Sequence, residues 1–129
     1  MRGLFVTTDV AAFGCDRGSP RRARRFVAHA VGDREHADDI ELLTSELVTN
    51  VVEHAQTDGQ VLVEVGERTV RVEVRDGSPE PATPRTPDER GGRGLRLVEL
   101  LSDRWGVTIR PRGKSVWFEI DDDDVGAVS

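Results

Sequence analysis

The feature that most restricts the fold is a change of hydrophobic period in the middle of the chain. Before residue 57, apolar residues recur every three or four positions, which predicts helices from about Pro20 to about Val31 and from about Asp38 to about His54. From Val61 to Arg75 apolar and polar residues alternate instead, which predicts two strands joined by a turn at Gly66 to Arg68. Helices with one apolar stripe and strands with one apolar face bury these surfaces against each other.

The rest of the chain supplies the remaining elements. Gly3 to Thr8 is predicted as a short edge strand, and Gly94 to Trp105 as a third helix. Val107 to Arg110 and Ser115 to Ile120 are predicted to pair as a hairpin. Ser78 to Gly92 contains four prolines and no periodicity, which indicates a long loop. Loops of that length inside compact domains are uncommon unless they are functional.

These elements predict a two-layer α/β sandwich of the α+β type, with a mixed, mainly antiparallel sheet and about three helices on one face. Residues 1–18 are expected to hold the edge strand and an irregular segment, and residues 19–120 the folded domain. Residues 121–129 are expected to form an acidic tail. A chain of 129 residues is long enough for one core of this kind.

Composition narrows the class of function. The net charge of −6 and the scattered arginines argue against direct nucleic-acid binding, although helix ends can still attract an anionic nucleotide. A single cysteine, Cys15, excludes an intrachain disulfide and fits a reducing compartment. No apolar run approaches the roughly 20 residues that span a bilayer, and Met1 to Val10 lacks a signal-peptide core. We therefore expect a cytoplasmic protein with no membrane partner.

The second predicted helix carries a candidate site for a metal ion. Glu46 and Asn50 are four residues apart and project from one side of the helix, at the edge of its apolar stripe. Their oxygens suit Mg²⁺, and Glu46 could instead act as a base. His54 extends the same side by one turn. Taken alone, such a pair more often consists of ordinary residues at the boundary between the buried and exposed sides of a helix, and a lone His near a helix end more often caps or packs.

Two glycine-containing segments follow. Asp76 and Gly77 end a strand, where a carboxylate could accept a hydrogen bond from an exocyclic amine and the glycine lets a ligand approach, although Asp-Gly is also a common turn. Gly91 to Leu95 ends the long loop and begins the third helix, whose free N–H groups attract phosphate, unless the glycines form only a hinge.

Other nucleotide and metal motifs are absent from the sequence. Gly113-Lys114-Ser115 resembles the end of a P-loop, but Thr108 stands where the first glycine is required. A dinucleotide fingerprint fails because Leu97 replaces its third glycine. The three histidines have no zinc-ligand spacing.

Four segments in order resemble the GHKL ATPase/kinase superfamily, and within it the small anti-sigma factor serine/threonine-protein kinases. The resemblance covers residues 19–120. The segments that carry it are Glu46 to Ala55, Asp76 to Pro79, Gly92 to Leu95 and Gly113 to Phe118.

The resemblance implies a site for ATP and Mg²⁺. It implies that Asn50 binds the metal, that Asp76 accepts from the adenine amine, and that Ser115 assists through water. It also implies that Glu46 is the catalytic base. The full set of nucleotide-binding residues that it and the spacing indicate is Asn50, His54, Asp76, Gly77, Ser78, Gly91, Gly92, Arg93, Gly94, Leu95 and Ser115.

The resemblance further implies partners. A sigma factor would be sequestered, and an anti-sigma factor antagonist would be phosphorylated on a serine. The first helix is the candidate surface for a homodimer or a sigma contact. Ser78 and Glu80 stand where the family's Asp-x-Gly-x-Gly pattern has glycines. The alternative is therefore a non-catalytic regulatory module with a degenerate nucleotide pocket. A detached histidine-kinase catalytic domain is a third hypothesis, which would need a phosphoacceptor from another chain.

Overall fold

The structure is a computed structural model that describes residues 7–77 and 92–123. Within these ranges the chain forms a sheet of five strands, three α-helices, and one π-helical turn, Val51–Ala55, that continues the second helix. The helices are α1 (Ser19–Val31), α2 (Ala37–Asn50) and α3 (Gly92–Leu101). The strands are β1 (Thr7–Phe13), β2 (Gly59–Val65), β3 (Thr69–Asp76), β4 (Arg104–Ile109) and β5 (Lys114–Asp121).

The sheet has the strand order β1-β2-β3-β5-β4, and each neighbouring pair is antiparallel. The predicted α+β fold is confirmed: three helices accompany one sheet. The mixed character that we expected is not seen among the described strands, because β3 and β5 also run antiparallel. Hairpins join β2 to β3 and β4 to β5, and the segment containing α3 connects the two hairpins.

One face of the sheet and the apolar stripes of the helices form the core. Val61 of β2, Val74 of β3 and Val116 of β5 lie side by side in register and are buried, and the next inward row, Val63, Val72 and Phe118, is buried as well. Alternation along the strands explains this, because every second side chain points to the helical layer. The helical residues buried against this face include Val27, Ile40, Leu43, Leu47, Val48, Leu95 and Val98.

The first strand ends later than predicted. β1 pairs with β2 along its whole length, from Thr7 opposite Val65 to Phe13 opposite Gly59. A Cβ on Gly59 would overlap the Phe13 ring, so the missing side chain lets that ring cover the strand. The prediction of Gly3 to Thr8 was therefore wrong for its C-terminal boundary, and its residues 3–6 lie outside the described ranges.

The helix boundaries also differ from the predictions. α1 begins at Ser19, one residue before the predicted start, with Gly18 as its N-cap residue, and the Ser19 hydroxyl donates to the Gly14 carbonyl. α2 ends at Asn50, and the π-helical turn replaces the last predicted turn. Trp105 lies in β4 opposite Phe118 and not in the third helix, because a short apolar run fits either period and strand pairing decides.

The C-terminal strand extends into the predicted acidic tail. Asp121 is part of β5 and pairs with Thr69, and the Asp122 amide donates to the Arg68 carbonyl. Residues 124–129 lie outside the described ranges. No helix in the described part of the chain is long and apolar enough to cross a membrane.

Candidate nucleotide site

The side of α2 that bears Glu46 and Asn50 is covered by the start of α3. Both side chains are half-buried. A Cβ added to Gly94 would lie 2.6 Å from Asn50 Nδ2 and 3.6 Å from the Glu46 Cβ. Only a glycine leaves room for this approach without displacing the Asn50 side chain. The structure therefore brings Gly94 to Glu46 and Asn50, although Gly94 is distant from both in the sequence.

Asp76 ends β3 on the same face of the sheet as the buried Val74 and Val72. Its side chain is only 5% exposed. The Lys114 backbone N–H donates to Asp76 Oδ1 at 3.3 Å, and the Lys114 ammonium lies 3.0 Å from Asp76 Oδ2. Burial of a carboxylate requires such partners, since an unpaired ion in a dry environment is costly.

The backbone around Asp76 is fixed from two sides. The Gly77 N–H donates to Thr57 Oγ1 at 3.1 Å, which connects the end of β3 to the segment that follows the π-helical turn. Gly113 has φ +87°, and a Cβ there would overlap the Asp76 carbonyl oxygen. Gly113 thus meets both requirements for glycine, the left-handed backbone and the close approach of another chain segment.

Ser115 lies on the opposite face of the sheet from the Asp76 side chain. It pairs with Arg75, and its neighbours on that outer face include Glu73. Burial works to raise the pKa of Glu73, but the hydrogen bond from Arg75 and the charges of Arg75 and Arg71 outweigh it, so the pKa lies below its ordinary value. The structure thus does not bring the Ser115 side chain to Asp76.

Lys114, and not the expected Ser115, lies beside Asp76. It is a residue that the sequence prediction missed. A signal for it was present, because Lys114 has the same parity as the apolar Val116 and Phe118 of β5 and must point to the same face. The expected chemistry favours Ser115 as the residue beside Asp76, whereas the alternation along β5 favours Lys114. The structure agrees with the alternation.

The other predicted residues fall into three groups. His54 is exposed on the π-helical turn, and Gly77 is exposed at the end of β3. Gly92 and Arg93 begin α3, while Leu95 is buried in the core and holds that helix in place. Ser78 and Gly91 lie outside the described ranges.

Asn50, the start of α3 and Asp76 carry the kinds of group that would contact a nucleotide with a divalent cation. Asn50 offers a hard oxygen of the kind that Mg²⁺ prefers, next to a helix start whose N–H groups can face phosphate. Asp76 offers acceptors on the same side of the sheet. These groups match the ATP and Mg²⁺ that the family resemblance implies.

A cavity of about 630 Å³ lies at the other end of β5, near Asp121. His36 and Asp123 are among its lining residues, together with Arg68 and Arg104. None of the described site residues lines it. The cavity is therefore separate from the candidate nucleotide site.

A family model described as histidine kinase-like ATPase domain matches residues 18–120. No curated protein matches the chain significantly. The matched range contains each of the residues predicted for the site and spans β2 to β4, most of β5, and all three helices.

Proposed function

The chain belongs to the histidine kinase-like ATPase domain family, and from that premise we propose that it is an ATP-binding anti-sigma regulatory factor. In this proposal it sequesters a sigma factor and phosphorylates a serine of an anti-sigma factor antagonist. The observation that carries the proposal is the contact of Gly94 with Asn50 and Glu46. It brings the start of α3 to the proposed metal ligand and the proposed base.

ATP would lie on the helical side of the sheet, between α2 and the start of α3. Asp76 would accept a hydrogen bond from the adenine amine, and the N–H groups at the start of α3 would bind the phosphates. Asn50 would hold Mg²⁺, which when bound neutralises charge on the phosphate oxygens. The half-buried position of Asn50 favours this role, because a side chain shielded from water keeps one orientation.

The proposed reaction is transfer of the γ-phosphoryl group. The partner's serine oxygen forms a bond to the γ-phosphorus, while the bond from that phosphorus to the bridging oxygen breaks and ADP leaves. Glu46 accepts the proton of the serine hydroxyl. Its place one turn from Asn50 puts the base close to the phosphates, as general-base catalysis requires.

The nucleotide site is tested with Asn50→Ala. Loss of the metal ligand should weaken ATP binding about tenfold or more with Mg²⁺ present, the size expected for a bond to a charged group. Binding without Mg²⁺ should change little. Thr49→Ala is the matched control, because the Thr49 hydroxyl already donates to the Ser45 carbonyl at 2.8 Å. Equal weakening with and without Mg²⁺, measured by calorimetry, refutes the metal assignment.

Phosphoryl transfer is tested with Glu46→Gln, using labelled ATP and the anti-sigma antagonists of the source organism. The substitution should leave MgATP affinity within about threefold and reduce transfer by about 10²-fold or more, the usual contribution of a general base. Glu53→Gln, on an exposed residue of the π-helical turn, is the control. Unchanged transfer by Glu46→Gln rejects this base.

The second candidate is a non-catalytic regulatory module with a degenerate nucleotide pocket. The observation that favours it is the ion pair between Lys114 and Asp76, which already engages the carboxylate proposed to bind adenine. Binding of a partner protein without measurable MgATP binding at millimolar concentration would support this candidate and reject the kinase.

We also propose α1 as the surface for a sigma factor or for a second copy of the chain. Its exposed face carries Arg21 and Arg25, which suit an acidic partner surface. Charge reversal at both positions should weaken capture of the partner that co-purifies with the native protein and leave MgATP affinity unchanged. Capture that persists at the native level rejects α1 as the contact.

A further inference from the structure

The ion pair between Asp76 and Lys114 places a hydrogen-bond acceptor and a donor side by side. The Lys114 ammonium lies 3.0 Å from Asp76 Oδ2, and the Lys114 backbone N–H donates to Oδ1. The Lys114 side chain is 11% exposed and the Asp76 side chain is 5% exposed. The lysine stem is therefore buried, and the ammonium is held at the carboxylate by its surroundings.

A neutral amine does not readily displace this ammonium, because the amine offers the carboxylate only a hydrogen bond, whereas the ammonium offers a hydrogen bond and a full opposite charge. An ionised carboxylate has about four acceptor positions, so it can bind an amine while it keeps its lysine. A nucleobase that contacts Asp76 with one of its edges therefore also contacts the Lys114 ammonium. An edge that carries a donor next to an acceptor complements this pair.

We propose that Lys114 is a second residue that reads the nucleotide base, by donating a hydrogen bond to ring nitrogen N1 of adenine while Asp76 accepts from the neighbouring exocyclic amine. This inference rests on the proposed ATP binding. It assigns to a direct contact the part of base recognition that the family resemblance implies for Ser115, whose side chain lies on the other face of the sheet.

The test compares ATP with 1-deaza-ATP, in which a C–H group replaces N1, by calorimetry on the full chain with Mg²⁺. The wild-type protein should bind the analogue about tenfold or more weakly, as expected when a hydrogen bond to a charged group is lost. Lys114→Met keeps the apolar stem without the ammonium and should bind the two nucleotides equally. This double comparison isolates the contact between Lys114 and N1.

Ser115→Ala, the neighbouring residue on the opposite face, is the matched control and should keep the wild-type discrimination. Circular dichroism establishes that each variant is folded. Lys114→Thr, a good strand former, replaces Lys114→Met if the methionine variant does not fold. Equal binding of both nucleotides by the wild-type protein overturns the inference, as does discrimination that survives in the lysine variant. Tighter ATP binding by that variant also overturns it, because lysine would then compete with the base.

The two proposals fail in different ways. Absence of ATP binding by the wild-type protein rejects the proposed function and with it the base contact. ATP binding without discrimination against the N1 analogue rejects the base contact alone.

Discussion

The close contact between α3 and α2 can be tested with Gly94→Ala, which adds one methyl group where the two helices meet. The new Cβ would lie 2.6 Å from Asn50 Nδ2 and 3.4 Å from Asn50 Cγ. Real Cβ atoms do not approach that closely, so the Asn50 side chain has to move. The other neighbour, the Glu46 Cβ at 3.6 Å, is at an ordinary contact distance.

Two opposing effects set the change in the free energy of unfolding. Overpacking of a tight contact costs about 1–3 kcal/mol. Replacing glycine by alanine within a helix contributes about 1 kcal/mol of stability. The net loss should therefore be about 0–2 kcal/mol, which lowers the Tm by less than about 10 °C for a domain of this size. The fold should survive the substitution.

ATP binding should respond more strongly than stability, because the moved side chain is the proposed metal ligand. We expect MgATP affinity to fall about tenfold or more in calorimetry, the effect of losing one bond to a charged group. Glu99→Ala, on an exposed residue of the same helix, is the control. Native MgATP affinity in a folded Gly94→Ala variant would refute the placement of Asn50 at the ligand.

Two further predictions concern stability. Gly32→Ala, at φ +63° with nothing near its Cβ, should cost about 1–2 kcal/mol in thermal unfolding, whereas Gly113→Ala adds a backbone overlap with Asp76 and should cost about 3 kcal/mol or more. Equal costs would contradict the described contact. The hydrogen bond to Asp123 raises the pKa of His36, so the stability that His36 contributes is present below pH about 6.5 and lost as pH rises through the folded-state pKa. The gap in Tm between the wild-type protein and His36→Gln should therefore shrink from pH 6 to pH 8, and a constant gap would exclude this pair.

The sequence predicts local features of the fold well and non-local features poorly. The alternation of Val61 and Val63 fixed a strand and its buried face, because period 2 has one structural solution. Trp105 was placed in a helix because the apolar run before it fits both periods. Its pairing with Phe118 depends on a partner strand that local pattern does not specify.

The site showed the same division. Glu46 and Asn50 were predicted on one side of α2 because helical geometry places residues four apart together. The π-helical turn at Val51–Ala55, which carries His54 to an exposed position, had no local signal. The alternation along β5 indicates the face on which Lys114 lies, but its ion pair with Asp76 also depends on the register between two strands, which is not local.

The sequence by itself therefore determined the elements, the sandwich of sheet and helices, and the side of α2 that carries Glu46 and Asn50. Only the tertiary structure decided that Gly94 meets Asn50 and that Lys114, not Ser115, faces Asp76. The physical reason is that periodicity is local, whereas strand register and the contact of α3 with α2 depend on packing between residues distant in the chain.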